Sequence, residues 1–164
     1  MKALIALESG FRPGVVSSSG ATGLGQFTRG TWLDRIKTAQ HPELKALQKL
    51  SDDQKLLKRS DPRLNAIATV ENLRVAERRI QNAFRANGIV SKVTVADLYA
   101  YHNIGNPSMS VAARQNKLAK TAVSSSAMAL NSGLYINGDR TTARQYLDRV
   151  NKLLEQKLYD INRK

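Results

Sequence analysis

The first carboxylate of the chain is Glu8, which closes a short apolar run of Ala3, Leu4, Ile5, Ala6 and Leu7. No further Asp or Glu occurs before Asp34. A carboxylate at the end of an apolar helix is costly to keep ionised away from water. Desolvation should therefore raise its pKa and let it hold a proton near neutrality. A general acid needs that property. Most glutamates near a helix end lack it, so Glu8 gains weight from its downstream neighbours: Ser17, Ser18 and Ser19, a turn rich in glycine (Gly20, Gly23, Gly25), then Gln26.

Two further groups could do chemistry. Glu71 lies on the apolar face of the longest helical pattern, at i+4 from Ile67, i+3 from Ala68 and i−4 from Val75. An inward carboxylate must be paired or hydrogen-bonded. A structural anchor that ties down a loop is the preferred reading over direct chemistry. The second group is Tyr99, Tyr101, His102 and Asn103, at the end of a helix that Thr94-x-x-Asp97 can open as a capping box. A lone histidine is more often a satisfied structural residue than a catalyst, and both readings of His102 stay open.

These residues need a scaffold, and 164 residues suffice for one domain with a proper core. Hydrophobic residues make up 41% of the chain, an ordinary globular share. Without cysteine there is no disulfide or thiolate chemistry. A zinc site would rest on two distant histidines, His41 and His102, and is discounted; no metal or cofactor is expected. No apolar run is long enough for a membrane span. The start, MKALIALESG, is interrupted too early by Glu8 to read as a secretory signal. With 26 basic and 13 acidic residues, the net charge of +13 favours a polyanionic partner, either nucleic acid or an anionic cell envelope.

The pattern predicts a mainly α fold. Residues 2–9 form a first helix that Gly10 ends, and 14–26 a loop with a small β-hairpin as one option. Helices occupy 28–38 and 42–50, then a polar break comes at 51–53. The longest helix runs from Pro62 to Asn87, and another starts at Thr94. A further helix leads from Pro107 to about Lys117. Residues 119–140 are loop-rich, and a last helix over 141–161 buries Tyr146, Leu147, Val150, Leu154 and Leu158.

The stretch Glu8, Ser9, Phe11, Pro13, Ser17, Gly20, Ala21, Gly23, Leu24, Gln26, Gly30, Thr31 resembles the signature of the lytic transglycosylases, the goose-lysozyme-like enzymes that cut peptidoglycan strands. It looks closest to the muralytic domains of large bacteriophages. His102-Asn103-Ile104-Gly105 is similar to the family's second motif, usually Ala-Tyr-Asn-Ala-Gly, with His102 in the tyrosine slot. Arg144-x-Tyr146 echoes a late element in which Thr142 stands where many relatives have Glu. At Gly25 the family more often has Met.

The resemblance implies a lysozyme-like helical fold in which Glu8 is the catalytic acid. Ser17 and Gln26 would support it or bind sugar, and Glu71 would lie near the cleft. His102, or alternatively Tyr99 or Tyr101, would supply a hydrogen bond beside the acid, with Asn103 next to it. It further implies cleavage between N-acetylmuramic acid and N-acetylglucosamine with 1,6-anhydro products. Residues 1–164 are expected as one catalytic domain, a monomer when isolated. The short first helix suggests the C-terminal part of a longer protein. The expected place of action is the cell wall in the periplasm, from a phage virion or as an endolysin. The alternatives are a hydrolytic muramidase of the same fold, a basic helical nucleic-acid-binding module, and a non-catalytic relative, which the retained Glu8 argues against. The scattered charges and sparse aromatics speak against specific nucleic-acid binding.

Overall fold

The computed structural model describes residues 1–163, and they form a mainly helical protein. Its residues fall into two compact units, Met1–Asn72 and Leu73–Lys164.

The first unit begins with α1 (Lys2–Ser9), whose Ala3, Leu4, Ile5 and Ala6 are buried. Gly10 ends it in the left-handed conformation (φ 59°), its N–H bonded to the Ala6 carbonyl, a conformation that costs glycine nothing. Thr28 caps α2 (Arg29–Lys37) by accepting from the Thr31 N–H. Short α3 (Pro42–Ala46) tightens into a 3-10 turn over Leu47–Lys49 instead of running unbroken to residue 50. The polar segment expected as a break is α4 (Asp52–Leu57). Ser51 and Gln54 form a reciprocal capping box that supports it. Trp32, fully buried, centres the core: it meets Phe27 edge-on at 5.6 Å and packs with Ile36, Leu44 and Ala68, while its indole N–H donates to the Lys55 carbonyl at 2.7 Å. Ala68 comes from α5 (Pro62–Ala86), whose first eleven residues belong to this unit.

The second unit takes the rest of α5, then α6 (Val95–Ile104), α7 (Ser108–Arg114), α8 (Ser125–Leu130) and α9 (Ala143–Asn162). Helices α6, α7 and α9 pack on one another. Ala76, Ile80, Phe84 and Tyr101 form a buried cluster. Asp97 is fully buried and paired with Arg114, whose guanidinium reaches its two carboxylate oxygens at 2.5 and 2.7 Å. Burial alone would push that carboxyl up. The bonds from Arg114 and from the Thr94 N–H and hydroxyl outweigh it and hold it below the usual carboxylate range. Residues 119–140 are less loop-like than their composition suggests, because Ser124 is the N-cap of α8. The family's acidic slot, Thr142, caps α9 through a reciprocal box with Gln145. Leu158, expected in the core, is 44% exposed on the last turns of α9. Among the described residues no helix is long and apolar enough to cross a membrane.

Candidate functional site

The candidate residues divide evenly. Glu8, Ser17, Gln26 and Glu71 belong to the first unit; Tyr99, Tyr101, His102 and Asn103 belong to the second.

Glu8 occupies the last turn of α1 and is half-buried. The chain then turns through Phe11, a non-glycine residue at φ 63°, into the glycine-rich loop. Single antiparallel bridges, Val16 with Thr22 and Thr22 with Phe27, fold that loop where a hairpin was the option. The Ser17 hydroxyl accepts from the Ala21 N–H at 3.0 Å and pairs with Ser19 at 2.9 Å, so it closes its own turn. Gln26 also takes a positive φ of 48°, a conformation unfavourable to a residue with a Cβ by about 1 kcal/mol. Its side-chain amide compensates by donating to the Val15 and Gly23 carbonyls at 3.1 and 2.9 Å. Both amide hydrogens are thereby spent on the loop, and the carbonyl Oε1 keeps its acceptor capacity. Strain of this kind persists where surrounding bonds enforce it, and it clusters at functional sites.

The residues that enforce the loop are ones that the sequence pattern does not single out. Asn65, completely buried in α5, accepts from the Gly25 N–H at 2.7 Å and donates to the Arg59 carbonyl at 2.7 Å and the Thr22 carbonyl at 3.4 Å. Arg59 donates to the Gly20 and Phe27 carbonyls at 3.1 and 3.4 Å. The loop lies so close that a Cβ on Gly25 would come within 2.4 Å of the Thr69 hydroxyl, and one on Gly23 within 2.2 Å of Asn65 and of the Arg59 carbonyl. A signal for this exists in the chain. Asn65 and Thr69 stand at i−3 and i+1 from Ala68, polar residues inside the same apolar stripe that marks Glu71.

Glu71 is buried, and its Oε1 accepts from the backbone N–H groups of Gln40 and His41 at 2.9 and 2.5 Å. Arg35 reaches the Glu71 carbonyl at 3.4 Å. This carboxylate fastens the turn between α2 and α3, where His41 in turn caps α3.

In the second unit, α6 ends at Gly105 (φ 85°). Tyr99 and Tyr101 are buried and His102 and Asn103 half-buried. The Tyr101 ring lies in the apolar cluster, and its hydroxyl accepts from Arg79 at 2.8 Å. Asn103 donates to the Asn131 side-chain carbonyl at 3.4 Å and faces a cleft of about 270 Å³. Among the described residues no group of three or more His, Cys, Asp or Glu is placed to hold a metal ion.

The chain matches the family model of the Transglycosylase SLT domain over residues 1–124, a span that contains all eight candidate residues. No individual curated protein matches it. A match of that extent, on a mainly helical fold, identifies the chain as a member of the SLT transglycosylase family, lytic transglycosylase-type enzymes that cleave peptidoglycan.

Proposed function

We propose that the chain cuts the β-1,4 bond between N-acetylmuramic acid and N-acetylglucosamine without consuming water, with Glu8 as both acid and base. Glu8 protonates the glycosidic oxygen, and the bond to the muramic anomeric carbon breaks. The substrate's N-acetyl group stabilises the cationic centre. The Glu8 carboxylate then takes the proton of the muramic 6-hydroxyl, whose oxygen closes the 1,6-anhydro ring and leaves Glu8 protonated for the next turnover. A hydrolytic glycosidase uses a second carboxylate to activate water or form a glycosyl intermediate. The observation that carries the single-acid reading is the make-up of the loop after Glu8: serines, Thr22 and Gln26, with no carboxylate from residue 9 to residue 33. The second carboxylate that the sequence would offer a muramidase first, Glu71, is engaged by two backbone N–H groups.

The same reading assigns Ser17 and Gln26 to shaping the sugar site beside Glu8. His102 and Asn103 contribute hydrogen bonds, and the basic surface holds the enzyme on an anionic envelope. The first unit has 11 basic and 7 acidic residues, and the second 15 and 6, so net charges of +4 and +9 place most of that attraction on the second unit. The biological setting we infer is phage-mediated wall degradation in the periplasm, by a chain that acts as a monomer and as one catalytic domain.

Purified peptidoglycan is digested and the muropeptides are weighed by mass spectrometry. Products lighter by one water and lacking a reducing end are expected; reducing muramic ends would replace this mechanism with hydrolysis. Glu8→Gln, nearly isosteric, should keep the fold and lower turnover by at least about a thousand-fold. Near-normal turnover would remove Glu8 from the chemistry.

A further inference from the structure

The first unit holds a cleft of about 380 Å³ whose charge is balanced although the chain is basic: two carboxylates and two ammonium groups line it. Asp34 and Lys37 come from α2, and Asp52 and Lys55 from the first turn of α4. Asp52 and Lys55 satisfy each other at 3.0 Å, with the Lys55 side chain only 17% exposed. Asp34 and Lys37 do not. They stand three residues apart on one helix and line the same cleft. Yet their side chains form no hydrogen bond or ion pair with each other or with any other described residue. Gln48 lines the cleft with them. Its amide donates to the Ile36 and Lys37 carbonyls at 2.9 and 3.3 Å, closing the end of α2, and this leaves Gln48 Oε1 as an acceptor. Leu33 and Ile36 add aliphatic surface.

An unpaired carboxylate, an unpaired ammonium and a neutral acceptor beside aliphatic carbon suit a ligand that carries both charges on a short carbon chain. We propose that this cleft binds the head group of an α-amino acid. The ligand's ammonium bonds to Asp34 and Gln48 Oε1, its carboxylate pairs with Lys37, and its methylenes lie against Leu33 and Ile36. A polyanion, which the net charge of +4 on this unit would otherwise attract, meets Asp34 and Asp52 here. A neutral sugar would leave both free charges unanswered. Such head groups reach a wall-cutting enzyme from two sources. One is the uncross-linked diamino acid of a peptide stem, whose free ammonium and carboxylate share one carbon; the other is the free amino acid. The first source rests on the peptidoglycan reading above, although the cleft and its charges do not. No residue assigned to cleavage lines this cleft.

The test is an NMR titration of the ¹⁵N-labelled full chain with meso-diaminopimelate. The controls are pimelate, which lacks the amines, and 1,5-diaminopentane, which lacks the carboxylates. Saturable shifts are expected at the backbone amides of Asp34, Lys37 and Gln48 with diaminopimelate, and about five-fold weaker binding with either control. Asp34→Asn and Lys37→Gln, both at exposed positions, should each weaken diaminopimelate binding about three- to five-fold with melting temperatures unchanged. Absence of saturation, equal affinity for either control, or full affinity in both variants would overturn the proposal. Cleavage is measured in parallel on peptidoglycan and on strands stripped of their peptides. With the stem as source, the wild type has the lower KM on peptide-bearing strands, and Asp34→Asn loses that preference while kcat is retained. Equal KM values with a responding cleft assign the site to the free amino acid. Uncut strands with a responding cleft would remove the catalytic reading and leave this site standing; cut strands with a silent cleft would do the reverse.

Discussion

The two units hold their functional segments by different means. In the first, the segments at issue are irregular, and single buried side chains of α5 reach out to them: Asn65 to the glycine-rich loop and Glu71 to the turn before α3. In the second, helices α6, α7 and α9 pack side by side, and a buried ion pair, Asp97 with Arg114, joins α6 to α7. Helix packing spreads its stabilisation over many weak contacts. A side chain bonded to loop backbone concentrates it in a few groups whose loss leaves buried donors and acceptors unsatisfied. Precision is therefore placed where the chain is irregular. The loop beside Glu8 is fixed by polar bonds with direction, and the scaffold of the second unit by area and a charge pair.

Breaking the charge pair should have the largest effect. Arg114→Met leaves a buried, uncompensated carboxylate and should cost about 3–5 kcal/mol at neutral pH, read by chemical denaturation. Asp97→Asn in that background should recover part of the loss, because the charge is gone. The pH dependence should reverse sign. In the wild type the Asp97 pKa is depressed, so its contribution is present above the ordinary carboxylate value near 4 and fades as pH falls through the lower folded value. In Arg114→Met, burial dominates and the folded pKa is raised, so stability should fall as pH rises past about 4. A variant with the wild-type pH profile would show that Arg114 is not what holds the carboxylate ionised.

Asn65→Ala comes next. It strips the Gly25 N–H and the Arg59 and Thr22 carbonyls of a buried partner at once, and about 2–3 kcal/mol should be lost. Cleavage of peptidoglycan should suffer beyond that. At a temperature where the variant remains folded, turnover should still fall roughly ten- to hundred-fold, since small misplacements of positioning groups cost that much. Unchanged turnover in a folded variant would mean that the loop's geometry does not limit the reaction.

Local features were legible in the chain and distant ones obscure. The caps at Thr28, Thr94 and the end of α1 at Gly10 are written within four residues of where they act, and the helices begin and end there. The same chemistry is hidden at Ser51 and Ser124, because a serine in a polar run looks alike in a cap and in a loop until its N–H partner is seen. The period of α9 places Leu158 on the inner face, but a period marks only the face and not whether another element covers that turn, and Leu158 is exposed. Glu71 could be marked as needing a partner, and its partners proved to be backbone N–H groups of residues 40 and 41, which no side-chain pattern could name. Asn65 meets the loop some 40 residues away, a separation at which only the folded chain reveals the contact.

The smallest effect tests how closely the loop fits α5. Gly25 has a φ outside the left-handed region, so its lack of a side chain answers to space: a Cβ there meets Thr69 Oγ1 at 2.4 Å and the Phe27 ring at 3.1 Å. Thr69 Oγ1 cannot easily retreat, because it is buried and bonded to the Asn65 carbonyl at 2.8 Å. Gly25→Ala should therefore cost about 1–2 kcal/mol by overpacking. Thr69→Ala removes the obstructing hydroxyl and should cost about 1 kcal/mol alone through its lost bond. If the clash carries the penalty, the double variant should be more stable than the sum of the two by about 1 kcal/mol, a coupling that denaturant midpoints can resolve. Strict additivity would place the Gly25→Ala cost elsewhere, on the Phe27 ring at 3.1 Å or on Asn65 Oδ1 at 3.3 Å.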